Sequence, residues 1–153
     1  MSGNWYNGFS PADRTKGANL LRRALREGTV LPASICSMCG RVPSGLGYHN
    51  EDYRKPLTAY PICRRCHYAI HIRFRRPYYW REFIAPLDRN GWFQNLTPDP
   101  ASLYRPYDLT YPEGGTAHSL LTGGSYATCR QSVAHNLAYL FSPMPFQIEV
   151  AGE

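Results

Sequence analysis

Two cysteines and two histidines are concentrated in one segment of the chain, Ile62-Cys63-Arg64-Arg65-Cys66-His67-Tyr68-Ala69-Ile70-His71. A matching Cys-x2-Cys pair lies upstream, in Cys36-Ser37-Met38-Cys39-Gly40. Two such turns together supply the tetrahedral sulfur cage that structural zinc prefers, whereas four free core cysteines would not account for the repeated spacing. The sequence therefore predicts a structural Zn²⁺ held by Cys36, Cys39, Cys63 and Cys66.

Three of the five histidines lie near these cysteines. His67 follows the last cysteine of the pair, a helix would place His71 on the same face, and His49 lies between the two pairs. Because four thiolates complete a zinc site, the three imidazoles are available to a second divalent ion, Mg²⁺, Mn²⁺, Ni²⁺ or Zn²⁺, with positions left for water or phosphate oxygen. The alternative is that His67 caps the cysteine turn by hydrogen bonding and that His49 and His71 are ordinary surface residues.

Local signals around these residues predict a small α+β fold. Ser10 and Pro11 open an amphipathic helix, and Gly28 ends it. Prolines and glycines break the region 30–61, which predicts short strands around a hairpin, with Leu46-Gly47-Tyr48-His49 as one strand end.

The proline-free stretch 62–75 predicts a second helix, which Pro77 ends. The aromatic segment 77–83 is predicted to pack into the core rather than to stack on bases. Residues 96–125 are rich in proline and glycine and are predicted to be irregular, and helical spacing predicts a short helix near 126–141.

A length of 153 residues fits one small domain with extensions. We expect an N-terminal helical segment at 1–33, a zinc-containing core at 34–76 and an aromatic- and Pro/Gly-rich C-terminal extension at 77–153. No apolar run approaches the roughly 20 residues of a membrane span, and the N-terminus has no apolar signal stretch, so a cytoplasmic protein without a membrane partner is expected. The oligomeric state is not readable from the sequence.

The charge of the chain is divided between its two parts. Residues 1–89 carry 15 of the 17 Lys and Arg, whereas residues 90–153 carry 2 against 5 Asp and Glu. Most of these cations are arginines, whose planar donors suit phosphate and base edges, so nucleic acid is the first partner expected. The alternative is that the arginines reflect genome composition and a solvated surface, and the acidic C-terminal part could bind a protein partner or mask the basic surface.

The segment Tyr48-His49-Asn50-Glu51-Asp52-Tyr53-Arg54-Lys55-Pro56-Leu57, together with the two cysteine pairs and His67-x3-His71, resembles the zinc-containing HNH endonucleases of phages and bacteria. Many of those contain His-His-x-Asp-Tyr-x-x-Pro followed by Leu-Cys-x-x-Cys-His-x-x-x-His. The resemblance covers about residues 34–76 and does not extend to the flanks.

This resemblance implies a ββα-metal finger, in which a hairpin and a helix hold one divalent ion beside the structural zinc. It implies that His49 and His67 bind the ion with His71 as a third ligand, and that DNA phosphodiesters are hydrolysed with His49, Asn50, His67 and His71 at the site. The ion would polarise the scissile phosphate and stabilise the departing 3′ oxygen. Phosphate contacts are expected from Arg64, Arg65, Arg73, Arg75 and Arg76.

The chain departs from the family pattern at Asn50, which occupies the position of the general-base histidine. An amide cannot take a proton from water at neutral pH, so hydrolysis is expected to suffer. His49 could itself be the base, or water activated by the ion could attack directly; otherwise the protein is a degenerate finger that binds nucleic acid or a protein partner, as a phage or mobile-element regulator or inhibitor, without cutting. Glu51 and Asp52 are expected to orient histidines or to pair with Arg64 and Arg65.

Overall fold

A computed structural model describes residues 4–112 of the chain. Its helices are α1 (Pro11–Arg26), α2 (Arg64–Ile72), α3 (Pro77–Ile84) and α4 (Tyr107–Thr110), its strands are β1 (Leu46–His49) and β2 (Tyr60–Cys63), and short 3-10 helices lie at Pro56–Thr58, Trp92–Asn95 and Pro100–Leu103. The helix predicted near 126–141 and the residues 113–125 lie outside the described range. Between residues 4 and 112, no helix is both long and apolar enough to cross a bilayer.

The N-terminal helix forms where its capping signals predict it. The Ser10 side chain accepts a hydrogen bond from the Asp13 backbone, and the Asp13 side chain accepts one from the Ser10 backbone, which closes a capping box. The chain leaves the helix after Arg26, and Gly28 follows with a φ of +72°. Because glycine adopts this left-handed conformation without strain, the helix ends there as predicted.

A two-stranded hairpin leads directly into α2. Strands β1 and β2 are antiparallel, and their register pairs Leu46 with Cys63 and His49 with Tyr60. The predicted second helix therefore starts two residues late, because positions 62 and 63 are paired in the sheet. It also ends earlier, at Ile72, and a turn carries the chain to Pro77, which begins α3 rather than only ending α2.

One hydrophobic cluster extends along the chain from residue 36 to residue 111. It combines β2 and α2 with Trp80 of α3 and Phe93 of the following segment, both of which are almost fully buried. The prediction of core packing for the aromatic segment is confirmed at Trp80 but not at Tyr78 and Tyr79, which are exposed. The helices and the small sheet make this a mixed α+β structure, as predicted, and the cluster crosses the predicted boundary at residue 76.

Candidate metal centre

The four cysteines come together from two separate turns. Gly40, with a φ of +68°, allows the first turn to close through a 2.9 Å hydrogen bond from its N–H to the Cys36 carbonyl. The second turn is the junction of β2 and α2, where Cys63 is the N-cap and Cys66 lies in the first helical turn. All four sulfurs lie within 4.8 Å of one another.

This arrangement fits a structural metal ion such as zinc. Sulfurs at the usual Zn–S distance of about 2.3 Å on a tetrahedron are separated by about 3.8 Å. The Cys39 and Cys63 sulfurs are 3.9 Å apart, and the backbone N–H of Cys63 donates to the Cys36 sulfur at 3.3 Å. The four sulfurs thus form the cage that their spacing predicts.

The three predicted histidines also converge. His49 ends β1, while His67 and His71 lie one turn apart on α2, and one ring nitrogen of each lies within 4.8 Å of the others. The Nε2 atoms of His67 and His71 are 3.0 Å apart, and the His49 ring centroid is 5.3 Å from each of their centroids. The structure therefore brings together all three imidazoles that the sequence singles out.

Two of these imidazoles are held neutral. The pKa of His67 is lowered to about 4, mainly by burial and to a smaller extent by the neighbouring His49. Desolvation of the ring also brings the pKa of His71 down to about 3, with His49 and His67 contributing, although part of the residue is exposed. Neutral imidazole is the form that offers a lone pair to a metal, so both side chains are in a ligating state at neutral pH.

His49 is 1% exposed, so the alternative that placed it on the surface is wrong for this residue, whereas His71 is exposed as that alternative expected. Its Nε2 atom lies 2.5 Å from Glu51 Oε1 and 3.1 Å from the Tyr6 hydroxyl. Its Nδ1 atom is buried and has no hydrogen-bond partner among the described residues. A buried ring nitrogen without a partner is unusual, and Nδ1 is thus the atom of His49 that no described residue engages.

Asn50 uses both ends of its amide to hold the loop between the strands. Its Nδ2 donates to the carbonyl of Pro56 at 3.2 Å and, more weakly, to that of Lys55, and its Oδ1 accepts from the backbone N–H of Asp52 at 3.1 Å. This engagement explains why an amide suits position 50, and it gives Asn50 a structural role.

The acidic pair beside it makes different partners from those predicted. Asp52 binds Arg54 at 2.8 Å, and Glu51 contacts Arg73 at 3.3 Å, so neither pairs with Arg64 or Arg65 as expected. Glu51 does orient a histidine, as the other expectation held, through its contact with His49.

Arg73 is not available as a phosphate contact, which corrects its sequence assignment. Its side chain is 0% exposed because Arg73, the C-cap of α2, continues the helical face that carries Ala69 and Ile70 into the core. It donates to the carbonyl of Thr97 at 2.9 Å and to the Tyr6 hydroxyl at 2.6 Å. The remaining predicted cations are exposed, and they are Arg64, Arg65, Arg75 and Arg76.

Residues distant in sequence complete the site, and no local pattern predicted their contribution. Tyr6 and Asn7 contact Glu51 from an N-terminal turn. The Asn7-Gly8 pair predicts that turn but does not indicate which residue the turn contacts. Trp92 stacks on Tyr60 with a ring separation of 3.7 Å, and its ring centroid lies 6.1 Å from that of His49.

Comparisons with known proteins assign no family to this arrangement. No protein-family model matches the chain. Searches of curated proteins and of solved structures likewise find no match. The likeness to zinc-containing HNH endonucleases therefore stays a prediction from the motif, and the function has to be argued from the site itself.

Proposed function

We propose that this protein is a divalent-metal-dependent endonuclease of the HNH type, which hydrolyses phosphodiester bonds in DNA. The observation that supports it most is the convergence of His49, His67 and His71 beside a separate group of four cysteines. A structural zinc site needs no histidine once four sulfurs are present. Three further imidazoles with converging nitrogens are therefore best explained by a second ion.

The three histidines offer nitrogen ligands for a divalent ion that could bind a phosphate. His67 and His71 present neutral nitrogens on one face of α2, and His49, whose Nδ1 is unpartnered, approaches them from the end of β1. A divalent ion held by these nitrogens would supply Lewis acidity that polarises a phosphodiester and stabilises the departing oxygen. We assign no side chain as general base, because the amide of Asn50 is engaged in its loop.

The surface around the imidazoles suits a nucleic acid. Arg64 and Tyr68 are exposed and share the face of α2 that carries His67 and His71, since these positions repeat every three or four residues. A guanidinium beside the ion site can contact a neighbouring phosphate, and an exposed tyrosine can stack on an unpaired base.

Plasmid cleavage tests the proposed activity. Purified protein loaded with one equivalent of Zn²⁺ is incubated with supercoiled plasmid and Mg²⁺, Mn²⁺, Ni²⁺ or further Zn²⁺, and nicked and linear products are measured on a gel. His67→Ala should abolish cleavage, whereas Glu82→Ala, an exposed change on α3, should leave it unchanged. Cleavage that persists at the wild-type rate in His67→Ala would refute the assignment of the site.

A second candidate function is a nucleic-acid-binding finger that does not cut. The observation in its favour is Asn50, which fills the expected base position and is committed to backbone hydrogen bonds. Elemental analysis distinguishes the two functions by the number of metal ions bound per chain, because catalysis requires a divalent ion beyond the one at the cysteine site. A chain that binds DNA in a salt-dependent way but takes up one zinc and no further ion would favour the binding function.

A further inference from the structure

Glu51 is a fully buried carboxylate surrounded by hydrogen-bond donors. Its Oε1 accepts from the Tyr6 hydroxyl at 2.6 Å and lies 2.5 Å from His49 Nε2. Its Oε2 accepts from the Asn7 amide and lies 3.3 Å from a guanidinium nitrogen of Arg73. The Arg73 guanidinium beside Oε2 and the donors around both oxygens are the surroundings of an ionised carboxylate rather than of a neutral acid.

This environment sets the state of the His49 ring. A carboxylate can only accept, so Nε2 must carry the proton that lies between it and Oε1. In the neutral imidazole the other nitrogen, Nδ1, then has a lone pair and no proton. Nδ1 is also the nitrogen that finds no partner in the described part of the chain, so the hydrogen bond and the unpartnered atom indicate the same tautomer.

We propose that Glu51 is a positioning residue for the imidazole site, which fixes His49 in the Nε2–H tautomer and so keeps Nδ1 free to bind a divalent ion. This role rests on the proposed function. Tyr6, Asn7 and Arg73 hold the carboxylate in place, and two of them lie in an N-terminal turn more than 40 residues away from it. The turn thereby becomes part of the ion site without contacting the ion.

The variant Glu51→Gln tests this role, because it should reverse the direction of the hydrogen bond between residue 51 and His49. The Asn7 amide and Arg73 both donate toward the Oε2 position, so the new side chain should turn its carbonyl oxygen toward them. Its NH₂ group then faces His49 and donates to Nε2. This inverts the tautomer, places the proton on Nδ1 and blocks the ligating atom.

The first measurement is the tautomer itself. Long-range ¹⁵N–¹H correlation spectra of the full chain, loaded with one equivalent of Zn²⁺, should show Nε2–H for His49 in the wild type and Nδ1–H in Glu51→Gln. A purely structural role for Glu51 would not predict this inversion. The same tautomer in both proteins, or Nδ1–H in the wild type, would overturn the proposal.

The second measurement is Ni²⁺ affinity by calorimetry on the same preparations. Loss of an outer hydrogen-bond partner typically weakens metal binding about 10- to 100-fold, which is expected for Glu51→Gln. Asn7→Gly is the matched control, because it removes a hydrogen bond to the same carboxylate, keeps the φ of +50° accessible and leaves the bond to His49. Equal losses of affinity in the two variants would reduce Glu51 to a structural role.

Two further controls keep the outcomes separable. If Glu51→Gln does not fold, the double variant Glu51→Gln/Arg73→Met removes the uncompensated buried cation and retains the Asn7 donor that orients the amide. If the wild type binds no Ni²⁺ beyond the cysteine site, the proposed function fails. The tautomer spectra then still decide whether Glu51 sets the state of His49.

Discussion

Replacing Arg73 should destabilise the fold rather than weaken nucleic-acid binding. The side chain is fully buried, and it donates to the Tyr6 hydroxyl at 2.6 Å, to the Ile70 carbonyl at 3.0 Å and to the Thr97 carbonyl at 2.9 Å. Arg73→Ala removes these bonds and leaves Glu51 buried without its cation. Breaking one partner of a buried pair typically costs about 3–5 kcal/mol.

The assay is urea unfolding followed by far-UV circular dichroism, at a fixed zinc concentration because bound metal shifts the midpoint. With a denaturant slope of about 2 kcal/mol per molar, a loss of about 4 kcal/mol lowers the midpoint by about 2 M. Small domains have only about 5–15 kcal/mol in total, so the variant should be close to its stability limit. Arg73→Lys keeps the charge but loses the planar fork of donors, and its midpoint should fall between those of the wild type and Arg73→Ala.

Arg75→Ala is the matched control, since Arg75 is exposed two residues further along the chain. Its free energy of unfolding should stay within about 0.5 kcal/mol of the wild type, while the slope of log affinity for DNA against log salt should fall by about one. If Arg73→Ala and Arg75→Ala had the same urea midpoint, the assignment of Arg73 to the interior would be refuted.

Three other changes test separate parts of the site. Cys63→Ser should lose zinc and the circular dichroism of the hairpin and α2, and wild-type zinc content by elemental analysis would contradict the four-sulfur cage. Gly47→Leu should slow plasmid cleavage at unchanged zinc content. A Cβ at this exposed position would lie 3.7 Å from His67 Nδ1, so the added side chain would cover the approach to the imidazoles. An unchanged rate would mean that the substrate reaches the imidazoles by another route. Ni²⁺ or Co²⁺ should quench tryptophan emission mainly through Trp92, which stacks near His49, so undiminished quenching in Trp92→Phe would place the ion elsewhere.

The parts of the site that local geometry controls could be predicted from the sequence. Two Cys-x2-Cys turns and a His-x3-His pair need only a tight turn and a helix to bring their ligands together, and the structure forms both. The strand containing His49 was also predicted, because proline and glycine interrupt the chain on either side of it.

The outer part of the site depends on contacts between distant segments, which composition and spacing do not encode. Arg73 illustrates the difference. Its position, four residues after Ala69 and three after Ile70, places it on the buried face of α2, so helical spacing could have signalled its burial. Its partner Tyr6 lies 67 residues away, and nothing in the local pattern around either residue indicates the other.

The register of the hairpin determines the positions of both the cysteine group and the histidine group. Side chains along a strand alternate between faces, so a slip of β1 by one residue against β2 would turn His49 away from α2 and present Tyr48 instead. Cys63 is paired with Leu46 and also contributes a sulfur to the cage, so a metal ion bound to the sulfurs would oppose that slip. Removal of that ion by a chelator would then disturb the arrangement of the imidazoles as well as that of the cysteines.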